Sequence, residues 1–116
     1  MENKKTSLGL DENVEALLSY VLGWITGIVF LVIEKNSKFV KFHAMQSTIT
    51  FLGFMVVSLI LRGLSRIPVI GILFAVINWI VIIIAIITWI ICMVKAYQGE
   101  RYKLPTVGDM AERYIK

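Results

Sequence analysis

The stretch IPVIGILFAVINWIVIIIAIITWIICMV, spanning 67–94, contains no Asp, Glu, Lys or Arg. A bilayer-spanning helix needs about 20 mostly apolar residues. As one continuous helix this stretch would measure about 42 Å against a hydrocarbon core of about 30 Å, so part of it is loop, interface or tilt. Its isoleucines and valines are modest helix formers in water, but a strand this apolar would leave its backbone unpaired in lipid. The hydrogen-bond requirement therefore selects helix. At its start, Pro68 disfavours helix at Ile67 and itself suits a helix start, and with Gly63 and Gly71 it marks a tight turn.

Two further uncharged runs precede it, at 16–33 and 42–61, and each is long enough to span. Across all 116 residues 58% are apolar and 17% charged, against roughly 45–50% and about 25% in soluble domains. The expected fold is all-α: a polytopic integral membrane protein with three transmembrane helices at 14–33, 39–61 and 69–95. A polar segment, 1–13, leads in. A polar tail, 96–116, follows and carries a short amphipathic helix capped by Asp109. The amino-terminal segment has neither the apolar core of a signal peptide nor the composition of a transit peptide, so the first span is expected to act as its own insertion signal. The length leaves room for one domain, so a larger activity calls for oligomers or for a membrane protein partner.

Orientation follows from Lys and Arg flanking the spans, whose excess faces the cytoplasm. Three spans place Lys4 and Lys5 on one side with Arg62 and Arg66; the other side holds Lys35, Lys38, Lys41, Lys95, Arg101, Lys103, Arg113 and Lys116. The expectation is an amino terminus outside and a carboxyl tail in the cytoplasm of a prokaryotic cell membrane. The net charge of +4 comes from these short clusters beside apolar runs, a membrane-flank pattern that gives no reason to expect nucleic acid.

Within the first span Ser19, Gly23 and Gly27 recur every four residues and would share a small face for close helix packing, within the chain or between copies. Asn78, the one strongly polar side chain in the third span, is expected to clamp helices together. In the second, His43, Gln46, Ser47 and Thr50 form a polar stripe at helical spacing. Such a stripe faces protein, water or the interface, because unpaired polar groups are costly in hydrocarbon. It fits either a satisfied helix end or a wet cavity.

An enzyme is not expected. One His, one Cys and no acid in the second or third run offer no zinc or carboxylate metal site, and no cofactor loop is present. His43 and Ser47 share a face but have no orienting acid nearby in sequence. Cys92 has no partner for a disulfide and suits packing.

Three segments resemble the Tic-twenty-like family, small membrane proteins related to a chloroplast inner-envelope import component. They are 17–27 (LLSYVLGWITG), 34–47 with FVKFHAMQS, and 95–105 (KAYQGERYKLP) with Gly108 and Asp109. His43, Ala44, Gln46, Gly99, Pro105, Gly108 and Asp109 match that pattern most plainly, and the likeness is closest to short prokaryotic members. The resemblance implies a noncatalytic subunit in protein translocation or membrane protein assembly. The alternative is an oligomeric pathway for a small solute or ion, with the polar stripe wet.

Overall fold

The computed structural model describes residues 9–115; the basic residues Lys4, Lys5 and Lys116 assigned to sides above lie outside the described residues. Among the described residues five helices appear in order: α1 Glu12–Val21, α2 Trp24–Ile33, α3 Lys38–Leu64, α4 Gly71–Tyr97 and α5 Val107–Tyr114. The two 27-residue helices, α3 and α4, are long and apolar enough to cross a membrane; α2 is a shorter apolar helix of ten residues. Their connection turns where Pro68 and the glycines predicted it. Val69 has φ 67°, and the amide of Gly71 donates to the carbonyl of Ile67 at 2.9 Å.

The first expected span, 14–33, is not one helix. It breaks at Leu22 and Gly23 into α1 and α2, which fold back on each other as a hairpin. Gly23 adopts φ 65° and ψ −131°, a backbone conformation open in practice to glycine alone. Hydrogen bonds give the hairpin's direction. Ser37, which caps α3, donates through its hydroxyl to the Glu12 carboxylate at the start of α1. Further along α3, Ser47 Oγ donates to the Gly23 carbonyl at 2.9 Å, at the hairpin tip. The chain then returns along α2 to Glu34, whose carboxylate accepts from the amides of Asn36 and Ser37 at 2.9 and 2.8 Å. At about 1.5 Å per residue, the hairpin advances about 15–20 Å beside an α3 of about 40 Å, roughly half its length.

Two expectations change with it. Ser19, Gly23 and Gly27 do not share one face, because Gly23 is the turn. The amino end of α1 also does not lie with Arg62 and Arg66. Asn13 Nδ2 donates to the Tyr97 carbonyl at 2.9 Å, so the start of α1, the 34–37 loop and the end of α4 meet at one end of the bundle. A hairpin that returns places the start of α1 beside the end of α4.

The core sits in that same half. Ala16, Tyr20, Phe39, Val40, Cys92 and Ala96 are buried together, with Phe30, Phe51, Trp89, Met93 and Leu104 packed against them. Every buried residue of α3 falls between Phe39 and Thr50. Beyond the hairpin tip, among the described residues, α3 and α4 pack on each other, and Val56, Leu59, Ile60, Ile72, Leu73 and Trp79 are exposed.

Candidate functional site

Two polar clusters lie in the terminal half, and each can be followed donor by donor. The first begins at the carboxyl end of α4. Gly99, at φ 81°, ends the helix in a left-handed turn, with its amide on the Ala96 carbonyl at 3.1 Å and the Glu100 amide on the Lys95 carbonyl at 3.0 Å. The chain then crosses the base of α3. His43 Nε2 lies 2.8 Å from the Glu100 carbonyl, and Nδ1 lies 2.8 Å from the Tyr20 hydroxyl. A carbonyl can only accept, so Nε2 carries the proton and Nδ1 accepts from Tyr20. The Tyr20 oxygen in turn accepts from Gln46 Nε2 at 3.0 Å. Gln46 Nε2 also donates to the Tyr102 carbonyl at 2.8 Å, and its Oε1 accepts from the Leu104 amide at 3.0 Å. Tyr20, His43 and Gln46 are fully buried. Rings of Tyr20, Phe39 and Phe42 pack edge-on around the imidazole at centroid distances of 5.5, 4.8 and 5.2 Å.

This cluster ties α1, α3 and the extended segment after α4 into one unit. The segment continues into α5, which packs against α3. Gly108 lets α5 lie close on the segment that precedes it: a side chain there would run into Lys103, with a Cβ 2.5 Å from the Lys103 Cβ and 2.8 Å from its Cα. Asp109 does not cap α5. Thr106 occupies the cap position, and Asp109 sits in the first turn, 3.5 Å from Lys103 Nζ. Lys103 also pairs with Glu112, and that hydrogen bond, with Asp109 nearby, raises its ammonium above the usual range. Pro105 accepts from the Val107 amide through its carbonyl at 2.6 Å, closing the turn into α5.

The second cluster is the hairpin tip, where a broken helix exposes backbone groups. Thr26 Oγ1 accepts from the Leu22 amide at 3.1 Å and donates to the Ser19 carbonyl at 3.1 Å. Trp89 Nε1 donates to the Tyr20 carbonyl at 2.6 Å, and Ser47 covers Gly23. Ser19 turns its hydroxyl back to the Ala16 carbonyl at 2.6 Å. Irregular backbone at membrane depth persists where protein supplies the missing partners, and three side chains do so here. Below the tip, Gly27 lets α2 lie on α3 beside Ala44 and Thr48. Asn78 stands apart, accepting from Ser58 Oγ at 2.8 Å across α3 and α4.

Of the expected stripe, His43, Gln46 and Ser47 thus meet the hairpin or the tail, and Thr50 is buried at 9% exposure with no hydrogen-bond partner for its hydroxyl among the described residues. Chemically the arrangement is closed. Both imidazole nitrogens and the tyrosine hydroxyl are engaged, and the chain of donors ends on a backbone carbonyl. Among the described residues no three or more His, Cys, Asp or Glu are grouped to hold a metal. Helical spacing of polar residues does not single out Tyr20, the hub of the network, and Glu12, Glu15 and Glu34, at a helix start and a polar hinge, are buried as well. The available signal was an aromatic hydroxyl inside an apolar run, close behind an acid.

Residues 11–111 match the magnetosome magnetite crystal formation protein family, MamF/MmsF. The chain belongs to this family. Similar proteins include a UPF0132 membrane protein of Methanocaldococcus jannaschii, 54% identical over 95% of this chain and 94% of the relative. Another UPF0132 membrane protein, from Archaeoglobus fulgidus, is 57% identical over 91% of this chain and 97% of its own length. A second from Methanocaldococcus jannaschii is 49% identical over 95% and 74%. No solved structure matches. The MamF/MmsF-like chain is therefore an all-α membrane protein with two long apolar helices and a shorter third. The resemblance to the Tic-twenty-like family is overturned by this match, and the protein-import reading falls with it. The residues that suggested it, His43, Gln46, Gly99 and Gly108 among them, close the tail against the hairpin, a packing task that does not specify import.

Proposed function

We propose that the chain is a noncatalytic structural protein of the cell membrane, crossing it with α3 and α4, entering it with the α1–α2 hairpin, and keeping both ends in the cytoplasm. The observation that carries this reading is that Tyr20, His43, Gln46 and Ser47 spend their polar groups on the chain itself, holding the hairpin tip and the tail. A stripe used in this way offers no lumen, so nothing here favours a solute or ion pathway. The family's description speaks of magnetite crystal formation. We place the chain's role in the membrane, where its two long apolar helices belong. In this reading its partner is the bilayer.

Charge supports the orientation. Lys35, Lys38, Lys41, Lys95, Arg101, Lys103 and Arg113 belong to the end where the start of α1 meets the end of α4, against Arg62 and Arg66 at the other. Such an excess faces the cytoplasm and its anionic lipid. The test is thiol labelling of whole cells, with Asn36→Cys, Ser65→Cys or Thr106→Cys each placed in a Cys92→Ala background. An impermeant reagent should reach position 65 and spare positions 36 and 106 until the cells are opened. Labelling of position 106 from outside overturns the orientation, and opposite sides for 36 and 106 overturn the two-crossing topology.

A further inference from the structure

Cross-section along the bundle axis is the feature that the structural role leaves unused. In the half nearer the termini, α1, α2, α3 and α4 lie side by side, and α5 packs on α3. In the other half only α3 and α4 continue among the described residues. Exposure marks the boundary: buried α3 residues stop at Thr50, whereas Val56, Val57, Leu59 and Ile60 beyond it are 44–57% exposed. A groove of about 300 Å³ opens just past the tip, lined by Phe54, Met55, Ser58, Ile82 and Ala85 among others. A helix with its side chains is about 10–12 Å across, so four against two is about a twofold difference in area between the leaflets.

We propose that this chain is a membrane-shape element: a wedge that inserts about twice as much protein into the leaflet on its terminal side and so favours bilayers convex on that side. The proposal rests on the hairpin topology above. Protein inserted into one leaflet expands it relative to the other, and such insertion is sensitive to curvature. The hairpin is suited to the task because its depth is set by structure. Gly23 turns the chain back, and Ser47, Thr26 and Trp89 satisfy the turn where it stops. α2 faces outward with Ile25, Ile28, Val29 and Val32 exposed, an apolar surface that takes up area among lipid chains. With cytoplasmic termini, the favoured shape is a membrane bulging into the cytoplasm.

The experiment uses the full chain in protein-lean vesicles and needs no knowledge of a ligand. The Cys92→Ala, Thr106→Cys chain is reconstituted into phosphatidylcholine–phosphatidylglycerol vesicles of two sizes, about 15 nm and about 100 nm in radius. Impermeant thiol reagent, before and after detergent, reads the fraction of tails facing out. A wedge prefers its terminal side on the convex outer leaflet, so the outward-to-inward ratio should rise about twofold or more in the small vesicles. The Ser65→Cys chain should show the mirror-image change. A ratio independent of radius overturns the wedge. Asn36→Cys in the same vesicles separates the two failures: if positions 36 and 106 do not report the same side, the hairpin topology is at fault, and if they agree while the ratio stays flat, the wedge alone fails.

Discussion

Replacing Gly27 by alanine adds a single methyl group at the closest approach of α2 to α3. A Cβ built there lies 2.7 Å from Thr48 Oγ1, 2.9 Å from the Ala44 carbonyl oxygen and 3.0 Å from the Thr48 amide nitrogen. The first contact cannot be relieved cheaply, because Thr48 Oγ1 is itself bonded to the Ala44 carbonyl at 2.8 Å. The other two are backbone of a helix, so α2 must move outward as a body. Overpacking of this kind costs about 1–3 kcal/mol. The loss matters more in a membrane, where helices are held by close packing and not by exclusion of water. Gly53 is the matched control: it lies within the same α3, exposed, with nothing within 4 Å of a built Cβ. There the same change should be neutral or should stabilise by up to about 1 kcal/mol through helix propensity. Unfolding of the two variants by heat or denaturing detergent, each followed against the unmodified protein, gives the comparison. Gly27→Ala should unfold first by a clear margin. If the two glycine variants unfold alike, the contact between α2 and α3 is not the one described, and the hairpin loses its main support.

Gln46→Leu keeps the volume but leaves the Tyr102 carbonyl, the Leu104 amide and the Tyr20 hydroxyl short of a partner, at about 1–3 kcal/mol for each group left buried and unpaired. Its expected signature is faster proteolysis at Arg101 and Lys103 as the tail lifts; an unchanged cleavage rate would show that the network does not hold it. Gly99→Ala forces a side chain into φ 81° and should cost about 1–2 kcal/mol, read as a lower midpoint in the same unfolding assay. Trp89→Phe removes the donor to the Tyr20 carbonyl while keeping most of the packing. Hydrogen exchange across 20–26 should then accelerate more than exchange in the 52–64 part of α3, and equal protection in both regions would argue against Trp89 securing the tip.

Sequence alone determined that this is an all-α protein with α3 and α4 as its long apolar helices, because the absence of charge across 42–61 and 67–94 admits little else in lipid. It also picked out most of the polar residues that meet in the fold, His43, Gln46 and Ser47, by helical spacing. What it could not show is that the 16–33 run turns back. An uncharged run of that length satisfies the rule for a span whether or not it bends, and a glycine in an apolar run signals close packing as readily as a turn. The bend depends on partners far along the chain: Ser47 on α3 and Trp89 on α4 supply the hydrogen bonds that a broken helix needs, and neither lies near Gly23 in sequence. Once the hairpin returns, the start of α1 and the end of α4 share an end, and more of the described helices lie side by side there. Which end of the bundle the start of α1 joins, and how many helices lie side by side there, are therefore decided by tertiary contacts, since local composition records apolar length but not direction.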